Sequence, residues 1–107
     1  MADSYFDAND PAFGALIDLF VDELSDRIAS VEQAIDGGDL AALRRIGHQL
    51  KGAAGCYGFQ ELTNQGYALQ KACDEGTTKA AITTAATELI AGCRDAIESH
   101  AAATLGG

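Results

Sequence analysis

The sequence predicts an all-α protein folded as an antiparallel, up-down-up-down four-helix bundle. Apolar residues recur at intervals of three and four along most of the chain, which is the spacing of one buried face on an α-helix. Glycines followed by Asp or Thr interrupt this pattern, as helix ends and helix starts do. The 107 residues suffice for one core, so we expect residues 1–107 to form a single domain.

The first helix is predicted over about residues 10–36. Asp10 is a suitable N-cap, and Pro11 is tolerated in the first turn because its missing N–H is not needed there. The Gly37–Gly38 pair ends the helix. Residues 1–9 leave room for a short extra helical turn. The apolar stripe of this helix comprises Phe13, Ile17, Phe20, Leu24, Ile28, Val31 and Ile35.

The second helix is predicted over residues 39–57, with Asp39 as its N-cap and Gly58 as its end. Apolar residues at helical spacing again define one buried face. This inward stripe comprises Leu40, Leu43, Ile46 with Gly47, Leu50 and Ala54.

The third and fourth helices are predicted over residues 59–75 and 78–101, with Thr77 or Thr78 capping the fourth. Residues 102–107 are expected to fray, as chain ends commonly do. The inward residues of these two helices are Phe59, Leu62, Gly66, Leu69 and Cys73, followed by Ile82, Ala85 with Ala86, Leu89, Cys93 and Ile97.

The formal net charge is −9, from sixteen acidic and seven basic residues, and it is unevenly distributed. The first 26 residues contain seven acids and no base, whereas residues 39–71 contain four bases and two acids. An acidic protein is not expected to bind nucleic acid or an anionic membrane. The locally basic segment is suited to an acidic site on another protein.

Cys56, Cys73 and Cys93 are widely separated, which gives neither zinc-ligand spacing nor a disulfide framework. We interpret them as small apolar residues buried between helices in a reducing compartment. The N-terminus is acidic rather than basic and apolar, so we expect no signal peptide, and no run approaches the roughly 20 apolar residues of a membrane span. We therefore expect a cytoplasmic protein.

His48 lies in the middle of the predicted second helix, on the side away from its apolar stripe. Gly47, Gly52 and Gly55 lie nearby, and a glycine inside a helix costs about 1 kcal/mol relative to alanine. We therefore expect another group to approach the backbone closely here. Lys51, one turn further on, can place a positive charge beside whatever the imidazole carries. These features predict a histidine that is accessible for modification.

The sequence HQLKG at residues 48–52, followed by Gly55, Gly58 and Leu62, resembles the H-x-L-K-G…G…L signature of histidine-containing phosphotransfer (HPt) domains. The resemblance extends over nearly the whole chain. In that family the histidine accepts a phosphoryl group from the aspartyl phosphate of a receiver domain, or donates it to one.

The resemblance implies a role for each matching residue. His48 would be the phosphoacceptor, and Lys51 would neutralise charge on the phosphoryl oxygens. Gly52 would leave room for the active-site loop of the receiver. Gln70, on the third helix, matches a position where many members keep a glutamine that hydrogen-bonds the imidazole. Such a bond would fix the tautomer and the direction of the ring.

The receiver would dock on the surface around His48. Its arginines could equally be solvated charges, and Tyr57 and Tyr67 could lie either on this surface or at the edge of the core. The residues expected to contact the receiver are Arg44, Arg45, Gly52 and Gly55.

We expect a phosphorelay intermediate that receives a phosphoryl group on His48 from a receiver domain or a histidine kinase and passes it to a response-regulator receiver domain. A hybrid kinase or another histidine kinase would be the upstream partner. The chain has no glycine-rich ATP loop, so we expect a phosphocarrier without kinase activity. Because it begins with Met and ends soon after the bundle, we expect a freestanding shuttle rather than a module of a kinase. No carboxylates cluster near His48, so Mg²⁺ is expected on the receiver and no cofactor on this chain.

Two alternatives differ in function class. A binding module of the same fold could dock on a receiver or kinase without carrying phosphate, but the presence of His48 with Lys51 and Gly52 favours a carrier. A metal-binding or cofactor-binding bundle requires inward Glu-x-x-His pairs, which the sequence lacks. No surplus apolar stripe demands a dimer, so we expect a monomer.

Overall fold

The computed structural model describes residues 11–106, which form four helices: α1 (Pro11–Gly37), α2 (Leu40–Cys56), α3 (Gln60–Glu75) and α4 (Lys79–Gly106). The predicted four-helix bundle is confirmed, and the described residues contain no strand. Each helix packs on its two neighbours in a closed ring, with α1 and α3 both contacting α2 and α4. The expected extra turn and the expected cap at Asp10 lie outside the described residues.

The helix ends follow from residues with special backbone or side-chain chemistry. Gly38 and Gly76 take φ values of 64° and 62° after α1 and α3, a left-handed conformation that favours glycine. The carboxylate of Asp39 accepts from the backbone N–H of Ala42 at 3.0 Å. The Thr78 hydroxyl accepts from the backbone N–H three positions on, at 3.1 Å. Each of these side chains satisfies a backbone donor that the first helical turn leaves unpaired.

The C-terminal end of α4 differs from the prediction. We expected the helix to end near residue 101 and residues 102–107 to fray, but α4 continues to Gly106. Ala101, Ala102 and Ala103 explain the difference, because alanine has the highest helix propensity and prolongs a helix without needing a tertiary partner.

The core lies on the bundle axis and receives one fully enclosed leucine from each helix. Leu24, Leu50, Leu69 and Leu89 are each at most 1% exposed. The predicted stripes supply most of the other buried side chains, and no polar or charged residue among those described is buried. Leu40 is an exception at 48% exposed, because it begins α2 at one end of the bundle. None of the described helices is long and apolar enough to cross a membrane.

The three cysteines occupy different environments. Cys93 is buried, and this burial raises the pKa of its thiol to about 11. Cys73 is partly buried, and burial again raises the pKa of its thiol. Cys56 is exposed, which contradicts the expectation that all three are buried. It lies eight residues after His48 and therefore on the same outer face of α2.

Candidate functional site

His48 lies on the outer face of α2 and is exposed. Leu50, two residues later, is 1% exposed and anchors the opposite face of the helix in the core. Residues two apart on an α-helix point about 200° apart, so the burial of Leu50 fixes the outward direction of His48. α2 is also the helix that carries Arg44, Arg45 and Lys51 and no acid.

Gln70 meets His48 from α3. The carbonyl oxygen Oε1 of Gln70 lies 3.2 Å from Nδ1 of His48. With the proton on Nδ1, the neutral ring donates this hydrogen bond and keeps its lone pair on Nε2. The two side chains predicted to form the centre of the site therefore lie within hydrogen-bond distance.

Gly47 and Gly66 bring α2 and α3 into backbone contact beside His48. A Cβ on Gly47 would lie 2.8 Å from the carbonyl oxygen of Gly66, and a Cβ on Gly66 would lie 2.7 Å from the carbonyl oxygen of Gly47. Both distances are shorter than real Cβ contacts. We call this crossing the glycine contact. The close approach of α3 therefore explains why residue 47 is glycine. The sequence suggested a different reason for all three glycines near His48, namely the approach of a partner.

Gly52 and Gly55 have different surroundings. A Cβ on Gly52 would meet no atom of the described residues within 4 Å, and Gly52 is exposed. A Cβ on Gly55 would make an ordinary contact with Oγ1 of Thr63 at 3.4 Å. Packing within residues 11–106 therefore does not require glycine at position 52, which leaves the backbone one turn after His48 open to an approaching molecule.

Lys51 is held from α3 at both its backbone and its side chain. The Thr63 hydroxyl donates to the Lys51 carbonyl oxygen at 3.2 Å. The ammonium nitrogen of Lys51 lies 5.6 Å from the centroid of the Tyr67 ring, within the range of a cation–π contact. A Cβ on Gly66 would also lie 2.9 Å from the Lys51 backbone nitrogen, so α3 offers Lys51 little freedom to shift.

Arg44 pairs with an acid on α3. Its guanidinium nitrogen Nε donates to the Asp74 carboxylate, and both side chains are roughly half exposed. The hydrogen bond to Asp74, supported by the attraction of its charge, raises the pKa of Arg44 above its ordinary value. Asp74 lies just beyond the segment that appears basic in the sequence. Part of that basic charge is thus balanced within the molecule.

Arg45 is exposed and lies on the other side of His48, beside a groove between α1 and α2 that includes Gln33 and Asp39. No side-chain hydrogen bond or ion pair engages it within residues 11–106. Of the two arginines predicted to dock a receiver, Arg45 is therefore the one whose charge is available to a partner.

The structure places Tyr57 and Tyr67 in different environments, where the sequence left open whether each lies on the docking surface or at the edge of the core. Tyr57 packs its ring against Phe13 and Phe20, at centroid distances of 5.8 and 5.3 Å, and so belongs to the edge of the core. Tyr67 is 50% exposed and contacts Lys51. Tyr67 lies three residues before Gln70 on α3, and Lys51 lies three residues after His48 on α2. This matching spacing is the signal from which the contact could have been expected.

Thr63 and Arg27 make contacts near the site that the sequence did not suggest. Thr63 binds the Lys51 carbonyl, and Arg27 of α1 donates to the side-chain oxygen of Gln49 at 2.8 Å. Both contacts join residues on different helices, so only the relative register of the helices reveals them. Within residues 11–106, no group of three or more His, Cys, Asp or Glu side chains is placed to hold a metal ion.

A comparison with protein families identifies the family of this chain. Residues 15–103 match the family model described as the Hpt domain. The matched range contains His48, Lys51 and Gln70. Comparisons with curated proteins and with solved structures gave no significant match.

Proposed function

Because the chain belongs to the Hpt domain family, we propose that His48 is its phosphoacceptor and that the protein carries a phosphoryl group between receiver domains, or from a histidine kinase to a receiver. Hpt domains act in phosphotransfer within two-component signal transduction, as phosphocarriers without an ATP site of their own. The observation that carries the proposal for this residue is the 3.2 Å contact between Nδ1 of His48 and Oε1 of Gln70.

That contact supports a specific chemical step. Nε2 of the neutral ring attacks the phosphorus of a receiver aspartyl phosphate, so that an N–P bond forms and the P–O bond to the aspartate breaks. The aspartate leaves as a carboxylate. The ring keeps its proton on Nδ1 and gains positive charge, which the Gln70 carbonyl stabilises as hydrogen-bond acceptor. No proton has to leave in this direction, and the reverse step returns the phosphoryl group to an aspartate.

Lys51 and the receiver would share the neutralisation of charge. Phosphoryl transfer depends mainly on positioning and on balancing the charge of the equatorial oxygens. In our proposal the Lys51 ammonium group provides one positive charge from this chain. Mg²⁺, bound by the acidic residues of the receiver, provides the remainder, and this chain supplies no ligand for it.

Docking would use the open backbone at Gly52 and the unpaired charge of Arg45. An acidic receiver pocket complements α2, which has three basic residues and no acid. Leu16 and Leu19 on α1 are 43% and 59% exposed, and we propose that they add apolar area to the docking surface. α1 packs directly on α2, so both leucines lie on a helix next to the one that carries His48.

Incubation with a phosphorylated receiver domain, followed by mapping of the acid-labile phosphate, tests the proposal. His48→Gln should abolish labelling completely while circular dichroism shows unchanged helicity. His100→Gln is the matched control, because the chain contains only two histidines and His100 lies between α4 and α1. It should be labelled as the unchanged protein is.

Labelling that survived His48→Gln would refute the assignment. A protein that bound the receiver but took no phosphate would instead support a binding module that acts without carrying phosphate.

A further inference from the structure

Tyr67 is an aromatic residue of the site to which the proposed chemistry assigns no role. It lies on α3 one turn before Gln70, with half of its surface exposed. The Lys51 ammonium nitrogen lies 5.6 Å from its ring centroid. A cation within about 6 Å of an aromatic centroid is attracted by the negative face of the ring.

We propose that Tyr67 is a positioning residue that holds the ammonium group of Lys51 ready for the phosphoryl group on His48. This inference rests on the proposed function. Two cross-helix pairs support it: His48 with Gln70, and Lys51 with Tyr67. Their members are three residues apart on both helices, and α2 and α3 run in opposite directions. Each side chain proposed to act on the phosphoryl group therefore has its own partner on α3, one turn apart.

The flexibility of lysine explains why such a partner matters. Its side chain loses up to about 2 kcal/mol of rotamer entropy when fixed. The Lys51 backbone is already fixed by Thr63 and by the close approach of Gly66. The side chain is the remaining mobile part, and the Tyr67 ring limits its motion before the phosphoryl group arrives.

A ring is also better suited than an acid to this task. Arg44, one turn before His48, is paired with Asp74, whose negative charge balances the guanidinium. Lys51 forms no ion pair within the described residues. The neutral ring of Tyr67 holds the ammonium group without cancelling its charge, which leaves the full charge for the phosphoryl oxygens.

Single-turnover phosphoryl transfer from a saturating phosphorylated receiver tests the inference. Tyr67→Leu should slow transfer about two- to fivefold, the effect of losing an exposed cation–π contact. Tyr67→Phe keeps the ring and should transfer at the rate of the unchanged protein. In a Lys51→Gln background, Tyr67→Leu should have no further effect, because the group that it positions is gone.

Proton NMR of Lys51 gives a readout that a general loss of stability would not produce. The aromatic ring current should shift the Lys51 side-chain methylene signals upfield in the unchanged protein and in Tyr67→Phe, but not in Tyr67→Leu. Equal transfer rates for Tyr67→Leu and the unchanged protein would overturn the inference. So would a loss that persists in the Lys51→Gln background, or one that Tyr67→Phe shares.

The two proposals fail in different ways. If the unchanged protein takes no phosphate on His48, the proposed function is wrong and the role of Tyr67 falls with it. If His48 is labelled but Tyr67→Leu changes nothing, only the role of Tyr67 is wrong.

Discussion

The α2–α3 and α1–α4 interfaces are built differently. α2 and α3, of 17 and 16 residues, meet along their backbones at the glycine contact. α1 and α4, of 27 and 28 residues, are joined by polar side-chain pairs, of which Asp18–His100 spans 2.6 Å and Glu32–Arg94 spans 3.6 Å. Among residues 11–106, no atom lies within 4 Å of where a Cβ on Gly14 of α1 would be.

This contrast shows where a bundle can hold two side chains at a fixed distance. Long side chains such as Arg94 can follow a small sliding of one helix by changing rotamer, so pairs of this kind tolerate movement. A backbone contact does not tolerate such sliding, because no change of rotamer relieves a clash between main chains. His48 and Gln70 lie beside the glycine contact, where the register of the two helices is fixed most strictly.

The largest effect on stability is expected from Gly47→Ala. The new methyl group would lie 2.8 Å from the Gly66 carbonyl oxygen and 3.1 Å from the backbone nitrogen of Gln70, so α2 and α3 must separate. We expect the free energy of unfolding to fall by about 1–3 kcal/mol, as for other overpacked sites. Chemical denaturation would measure this, and Tm should fall by about 4–8 °C for each kcal/mol.

Gly52→Ala is the matched control on the same helix. It adds the same methyl group where nothing lies within 4 Å, so the higher helix propensity of alanine should raise the free energy of unfolding by up to about 1 kcal/mol. The two substitutions should therefore change stability in opposite directions. If Gly47→Ala were also stabilising, the backbone contact could not be what fixes the helix register.

The next largest effect is expected from Gln70→Leu, measured as the rate of His48 labelling by a phosphorylated receiver. The substitution keeps a side chain of similar size but removes the carbonyl oxygen 3.2 Å from Nδ1. A hydrogen bond has a net worth of about 0.5–1.5 kcal/mol, so labelling should slow about two- to tenfold.

Gln49→Leu provides the control for that measurement. Gln49 is the immediate neighbour of His48, but its side-chain oxygen accepts from Arg27 of α1. Labelling at an unchanged rate is expected. Equal slowing in both variants would mean that the amide of Gln70 acts through the general polarity of the surface rather than through the imidazole.

The fold and the centre of the site could be predicted because both leave local patterns in the sequence. The apolar stripe of α2, which includes Leu50, gave the outward direction of His48, and Asp39 gave the start of the helix. The reason for Gly47 could not be predicted, because the close approach of Gly66 depends on how α2 and α3 cross. The pairing of Arg44 with Asp74 was missed for the same reason, since 30 residues separate the two.

The smallest effect is expected from Asp18→Asn, which weakens one of the side-chain pairs between α1 and α4. The Asp18 side chain is 65% exposed, and exposed ion pairs contribute about 0–1 kcal/mol because water and salt screen them. The free energy of unfolding should therefore fall by less than about 1 kcal/mol, and His48 labelling should not change. A loss as large as that of Gly47→Ala, measured in the same denaturation series, would contradict the distinction between the two interfaces. It would show that a single polar pair can fix the position of a helix as firmly as a backbone contact does.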